Sequence, residues 1–333
     1  VSEVLPERIA VLALTRGGRD LAKRIVQGLP GAYSGPRSGS VARDIAARWA
    51  DSGGLVCIMA AGIVVRAIAP LVRHKRTDPA VVVVDERGRY AISLLSGHLG
   101  GANLLARRVA TITGGEAVIT TASDTLGLPA VDLWAAESGL VPDDESAFLR
   151  AAARLVNTGC LRVWTAGLSL PLPEGFLPSD TPGEADLVIT NRILRSPDDG
   201  KPVFRPRNVV AGVGCNRGTP AGEILSAVRE ALDDAGLSML SLRELASIDL
   251  KRDEPGLAEA ARDLRLPVRF FSAQKLNAVP GIRESETVRR TTGARAVAEP
   301  AALLATDRRG QLLVRKRKWK NVTVAIAEDP SLS

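Results

Sequence analysis

The sequence reads as an α/β protein with two layered α/β domains, one towards each end, joined by a small middle module. Three features carry that reading. Short apolar runs alternate with helical patterns through the first third; the pattern weakens and gains prolines from about Val141 to Arg207; and a strand, a glycine-rich loop and a helix restart at Val209. Boundaries are expected at 1–138, 139–206 and 207–333. A chain of 333 residues has room for two or three domains, each with a core of its own.

In the first third, strands are expected at Ile9 to Leu14, Leu55 to Met59, Val81 to Val84, Tyr90 to Leu95 and Ala117 to Thr121. Helices lie between most of them. Leu105, Val109 and Ile112 recur at helical spacing with Arg107 and Arg108 on the other face, the pattern of a helix packed on a sheet. The turn from Asp85 to Arg89 predicts a hairpin and therefore a mixed sheet. The middle module offers a helix from Glu145 to Asn157 and strands at Leu161 to Thr165 and Asp186 to Thr190. Its turn-rich segment from Ser196 to Pro202 is the preferred linker into the last domain. There, Val209 to Val213 is a strand, followed by a helix with Thr219 as N-cap, Pro220 as its first residue and Gly236 just past its end. Ile224, Leu225, Val228, Ala231 and Leu232 form its buried stripe. Further strands are expected at Leu237 to Leu240, Pro267 to Phe271, Gln311 to Val314 and Asn321 to Ala327.

The formal net charge is +7, but Asp307 to Lys320 holds seven basic residues and one acid, so the rest is nearly balanced. With aromatics at 3% of the chain, base-stacking platforms are scarce, and nucleic acid is not an expected partner; a small polyanionic ligand is compatible. Cys57, Cys160 and Cys215 are far apart and histidines number two, which supports neither a disulfide framework nor a zinc site. No apolar stretch reaches the ~20 residues of a membrane span, and the start of the chain has no secretory pattern. A cytoplasmic protein is expected.

Several loops suit anions. SGHLGGAN, from Ser96 to Asn103, joins a strand to a helix and brings backbone N–H groups to a helix N-terminus, with His98 close by as a base of pKa about 6.5. Its plainer reading is a tight connection with a hydrogen-bonded histidine. TTASD, from Thr120 to Asp124, offers hydroxyls and a carboxylate to orient His98 or water, or else an N-cap. Ala60 to Ile63 admits a close helix, and Arg66 suits a substrate carboxylate. Gly212 to Gly218 reads G-x-G-x-x-x-G, one residue longer than the dinucleotide fingerprint, and Ser241 stands where a ribose-binding acid would follow the strand at Leu237. A nicotinamide cofactor is therefore not expected, though Arg217 can assist an anion at this loop. Lys275 pairs with an acidic ligand or sits on a solvated face. Arg315 to Lys320 is a charged hairpin, an anion site or a nucleic-acid patch.

AAGIVVR from Ala60 to Arg66, LLSGHLGGAN from Leu94 to Asn103 and ITTASD from Ile119 to Asp124 together resemble the N-terminal domain of the cobalt-precorrin-5A hydrolase family. GVGCNRGT from Gly212, ASIDLK from Ala246, EPG from Glu254 and FSA from Phe271 resemble that family's C-terminal domain, which is also similar to a free-standing protein of the oxygen-dependent cobalamin route. The N-terminal blocks decide for the hydrolase. The resemblance implies opening of the ring-A δ-lactone of a cobalt-corrinoid substrate and release of acetaldehyde in anaerobic cobalamin biosynthesis. Cobalt arrives within the substrate, so no cofactor and no protein-held metal are expected, and neighbouring pathway enzymes are possible transient partners. On that footing His98 is the expected base, with Asp124 or Ser123 orienting it and Gly100 and Gly101 donating to an oxyanion. Substrate contacts are expected from Gly62, Arg66, Ser96, Gly97, Gly100, Gly101, Asn103, Thr121, Gly214, Arg217, Gly218 and Lys275. A non-catalytic corrinoid carrier is the alternative.

Overall fold

The computed structural model describes residues 4–35, 38–74, 77–194, 200–307 and 309–330, and the chain divides into two compact units, Val1–Trp134 and Ala135–Ser333. The expected α/β layers are present, built on three sheets. Among the described residues no helix is long and apolar enough to cross a membrane.

The first unit runs β1 (Ile9–Ala13), α1 (Arg16–Gly28), β2 (Ala32–Tyr33), α2 (Val41–Trp49), β3 (Gly54–Ile58), α3 (Ala61–Ile68), β4 (Ala80–Val84), β5 (Tyr90–Leu95), α4 (Ala102–Thr113), β6 (Glu116–Val118) and α5 (Ala122–Leu126). Next comes α6 (Val131–Glu137). The sheet order is β2-β1-β3-β4-β5-β6. Its central strands are apolar at every position because helices cover both faces. Ile9, Val11, Val56 and Val82 pack against α1 and α4, while Ala10, Leu12, Leu55 and Val83 pack on the side of α2 and α3.

One reversal sets the geometry of this unit. Strands β1 to β4 are parallel, but Asp85 closes the predicted hairpin by accepting from the N–H groups of Arg87 and Tyr90, and β5 returns antiparallel to β4. β6 then pairs parallel with β5. The loops after β5 and β6 therefore lie at the edge where β1, β3 and β4 begin, and α3, which carries Gly62 and Arg66, follows β3 at the opposite edge.

In the second unit, β7 (Leu140–Pro142), α7 (Ala147–Thr158), β8 (Leu161–Trp164), β9 (Phe176–Pro178), β10 (Leu187–Ile189) and β11 (Val203–Pro206) form a sheet ordered β7-β11-β10-β8-β9. The Ser196 to Pro202 segment thus joins β10 to β11 within this sheet and is not the linker into the last one; residues 195–199 of that stretch lie outside the described residues. Turn-forming residues mark a loop, but they do not say whether a domain ends there.

The remaining elements are β12 (Val209–Cys215), α8 (Ala221–Asp234), β13 (Leu242–Ile248), α9 (Pro255–Leu264), β14 (Val268–Phe271), α10 (Ala273–Asn277), α11 (Glu286–Thr292), α12 (Ala298–Ala305), β15 (Gln311–Lys318) and β16 (Val322–Glu328). Their sheet order is β14-β13-β12-β16-β15. The stripe of α8 is buried at Ile224, Val228, Ala231 and Leu232 and partly buried at Leu225, and Gly236 takes the left-handed conformation just beyond it. Thr219, however, does not cap this helix: its hydroxyl donates to the Asn216 carbonyl, and Pro220 holds the N-cap position. The strand expected at Leu237 is also displaced. Met239–Ser241 is a 3₁₀ turn and the strand is LRELASI, from Leu242 to Ile248, whose Arg243 and Glu244 hide its strand character. Burial raises the Glu244 pKa, and Arg269 and Arg243 oppose that shift.

Gly212 of β12 lies against α12 so closely that a Cβ would stand 1.9 Å from the Ala298 carbonyl oxygen. Gly212→Ala must push strand and helix apart. A loss of about 1–3 kcal/mol in denaturant unfolding is expected; an unchanged midpoint would contradict this packing.

Candidate functional site

The site lies at the edge where β5 and β6 end. Ser96 follows β5 in the left-handed region, φ 59°, and its hydroxyl donates to the Asp78 carbonyl, which turns the chain back toward the sheet. Gly100 meets Ser96 so closely that a Cβ would stand 2.4 Å from the Ser96 Cβ; no other residue fits without moving the loop. This compact turn delivers His98 to α5, which follows β6.

The Asp124 carboxylate organises the cluster. Its Oδ2 accepts from Asn103 Nδ2 at 2.9 Å and Thr121 Oγ1 at 2.5 Å, and lies 2.9 Å from His98 Nε2. Its Oδ1 accepts from Arg107 at 2.6 Å. Burial pushes the Asp124 pKa up, but the hydrogen bonds from Thr121, His98 and Arg107 outweigh it and hold the carboxyl below its usual value. An ionised carboxylate only accepts, so His98 Nε2 carries the hydrogen of that contact. Ser123 Oγ, 3.3 Å from Nε2, shares it.

The other ring nitrogen, Nδ1, lies 3.4 Å from Asp132 Oδ1. His98 is thus held between two carboxylates and its pKa is raised, chiefly by the hydrogen bond to Asp132, against burial and with the help of Asp124. Because Nε2 keeps its hydrogen on Asp124, Nδ1 is the atom that gains and loses a proton. The cluster opens onto a cleft of about 360 Å³ whose lining includes His98, Arg107, Ser123, Asp124, Leu128 and Leu133.

The family described as Cobalamin synthesis G N-terminal matches residues 44–124, and Cobalamin synthesis G C-terminus matches residues 209–327. The chain belongs to the cobalamin synthesis G family. It is 36% identical to a cobalt-precorrin-5A hydrolase of Salmonella typhimurium, covering 98% of this chain and 99% of that one. It is also 36% identical to one of Priestia megaterium, over 88% of this chain and 83% of that protein. Protein CobE of a Sinorhizobium species is 37% identical over 37% of this chain and 82% of its own.

The family's N-terminal match ends at Asp124, so it stops short of Asp132. Of the residues singled out in the sequence, His98 lies within hydrogen-bonding distance of both Asp124 and Ser123. Others take different positions. Asn103 is fully buried, accepts from Ser93 Oγ at 2.7 Å and donates to Asp124 and Thr121, so it positions the carboxylate and does not face a substrate. The Gly101 N–H donates to the His98 carbonyl at 2.8 Å and is not free for an oxyanion; the Gly97 carbonyl is likewise taken, by the N–H of Asn103. Gly62 and Arg66 lie on α3 beyond the end of β3, at the far edge of the sheet, because the β4–β5 reversal carries the His98 loop to the other edge.

In the second unit, Gly218 N–H donates at 2.7 Å to Glu254 Oε1, so a protein carboxylate already fills the expected anion position. The strand after α8 ends at Ile248 with Asp249 next, so an acid follows it where the sequence put Ser241. Arg217 is exposed in the turn, Lys275 is exposed on α10, and neither lines the cleft that holds Gly214.

Sequence reading missed Asp132 and Arg107. Asp132 lies eight residues past Asp124 in no recognisable motif; Arg107 is one helical turn after Asn103, a spacing that would have put both on one face of α4.

Imidazole NMR is expected to place the His98 pKa above the ordinary 6.5, and Asp132→Asn to lower it. Stability follows with a definite sign. The raised pKa contributes stability that is fully present below about 6.5 and is lost as pH rises through the folded-state value. The stability advantage over His98→Gln should shrink across that window; an advantage that grows with pH would refute the two-carboxylate arrangement.

Proposed function

We propose that this chain is a cobalt-precorrin-5A hydrolase of the cytoplasm, opening the ring-A δ-lactone with water and releasing acetaldehyde to leave cobalt-precorrin-5B. The observation that carries the reading is identity of 36% along 98% of the chain with a protein bearing that name. The His98 cluster supplies chemistry suited to it.

His98 Nδ1, in its neutral form, takes a proton from water as the oxygen attacks the lactone carbonyl. Asp132 stabilises the imidazolium that forms, and Asp124 fixes the tautomer through Nε2. Arg107 lines the cleft and replaces Gly101 as the source of positive charge for the tetrahedral oxyanion. Collapse of the oxyanion breaks the ester C–O bond and leaves a carboxylate and an alcohol. Loss of the alcohol proton then forms the aldehyde C=O as the C–C bond to the macrocycle breaks; the electron pair stays with the macrocycle, which takes up a proton. Acetaldehyde departs. Cobalt travels in the substrate, and these steps call on no cofactor of the protein.

The cleft is small beside a macrocycle, so the reading has the lactone edge enter it while the ring lies outside. Ser123 faces the same opening and is suited to hold the incoming water.

Purified protein incubated anaerobically with cobalt-precorrin-5A should release acetaldehyde catalytically, with a matching change in corrinoid mass. His98→Ala should slow this by about 10²–10⁴-fold. The alkaline-rising limb of kcat/KM should follow the raised His98 pKa and move to lower pH in Asp132→Asn. Tight substrate binding without acetaldehyde above the spontaneous rate would replace the enzyme with a carrier.

A further inference from the structure

The charged hairpin at the end of the chain is sorted by face. Arg317 lies opposite Val324 across β15 and β16, on the side where Val324 packs in the core with α8; it pairs with Asp234 of α8 and stacks over Trp319, whose Nε1 donates to Glu230. Lys318 lies opposite Thr323, and both line a cleft of about 340 Å³ on the other side. Lys316 and Lys320 line it too.

This cleft lies beyond the carboxyl ends of β12 and β13, at Gly214, Cys215 and Lys251, the position where open α/β sheets receive ligands. Its far wall is α11, with Thr287 and Thr291, and the segment from Ala296 to Ala298 that leads into α12. Among the described residues no aspartate or glutamate lines it. Lys251 is neutralised by Glu254 at 3.2 Å, and Glu299 of α12 gives one carboxylate oxygen to the backbone N–H of Lys316. No side-chain ion pair joins Lys316, Lys318 or Lys320 to a described residue.

We propose that this cleft binds an organic polycarboxylate through Lys316, Lys318 and Lys320. Like charges gathered in one concave site without acids repel one another, and a multivalent anion relieves that repulsion. Alternate strand residues are about 6–7 Å apart, so the lysines suit carboxylates spread over a broad scaffold better than a compact phosphate chain. A nucleic acid fits less well: the lysines line a walled cleft, and Trp319 is already engaged by Arg317 and Glu230. Binding here is separate from the hydrolase reading, since it does not use His98.

The test is calorimetric titration of the full chain with benzenehexacarboxylate at low salt, beside pyrophosphate and a single-stranded oligonucleotide. The hexacarboxylate should bind, and the combined Lys316→Ala, Lys318→Ala and Lys320→Ala variant should weaken it by roughly tenfold or more. Lys318→Ala alone should weaken binding more than Arg317→Ala, which removes the same single charge from the other face and should change affinity by less than about twofold. His98→Ala should bind as the parent does, even where turnover is lost. Circular dichroism melting should show the triple variant folded, as expected for exposed side chains. Absence of hexacarboxylate binding, equal losses in Lys318→Ala and Arg317→Ala, or equally tight lysine-dependent binding of pyrophosphate or the oligonucleotide would overturn the proposal.

Discussion

The reversal between β4 and β5 is the constraint on which the first unit's chemistry depends. Had the chain crossed over and added β5 in parallel, the SGHLGGAN and ITTASD loops would share an edge with Gly62 and Arg66. The hairpin closed by Asp85 instead carries them to the edge where β1, β3 and β4 begin. The usual rule, that ligands gather beyond the carboxyl ends of strands, still holds for β5 and β6 taken by themselves. It fails for the sheet as a whole because the two sets of strands point opposite ways. Asp85 holds that turn through its side chain.

From this placement follows a division of labour among residues that look alike in sequence. Asn103, Thr121 and Arg107 all touch the Asp124 carboxylate, yet Asn103 is wholly buried and Arg107 lines the cleft. A buried carboxylate without donors would be driven toward its neutral form; these donors keep Asp124 ionised, and only an ionised Asp124 fixes the hydrogen on His98 Nε2. The glycines do different work. They let the loop pass close to Ser96 and Asn103, and the amides of Gly101 and Asn103 are spent on carbonyls of the loop itself.

Much of the scaffold was legible because apolar runs and helical stripes report burial directly. Val81 to Val84 and the stripe of α8 were found in place. β13 was not, since Arg243 and Glu244 interrupt its apolar run, and their partners lie far along the chain: Arg269 beside Glu244, and Asp329 and the Ala305 carbonyl on Arg243. Asp132 escaped for the same reason: its relation to His98 exists only after α6 packs beside the loop. His98 and Asp124 were legible as candidates, but their contact was not, because a spacing of 26 residues across a strand pair carries no periodic signal. Long-range polar pairs are what single-sequence reading loses first.

The position of His98 between two acids carries a tension that bears on its chemistry. Asp132 and Asp124 stabilise the imidazolium, which favours giving a proton to a leaving group and reduces the fraction available to take one from water. A base role at Nδ1 therefore requires that Asp132 also help the acceptor once it has the proton, so that what is lost in population is regained in the stability of the charged state. That trade fits a reaction in which a proton is first removed and later returned, because the same pair then serves both steps. It fits less well with a site that only binds, where a cation pinned between two carboxylates would offer a bound carboxylate little net charge.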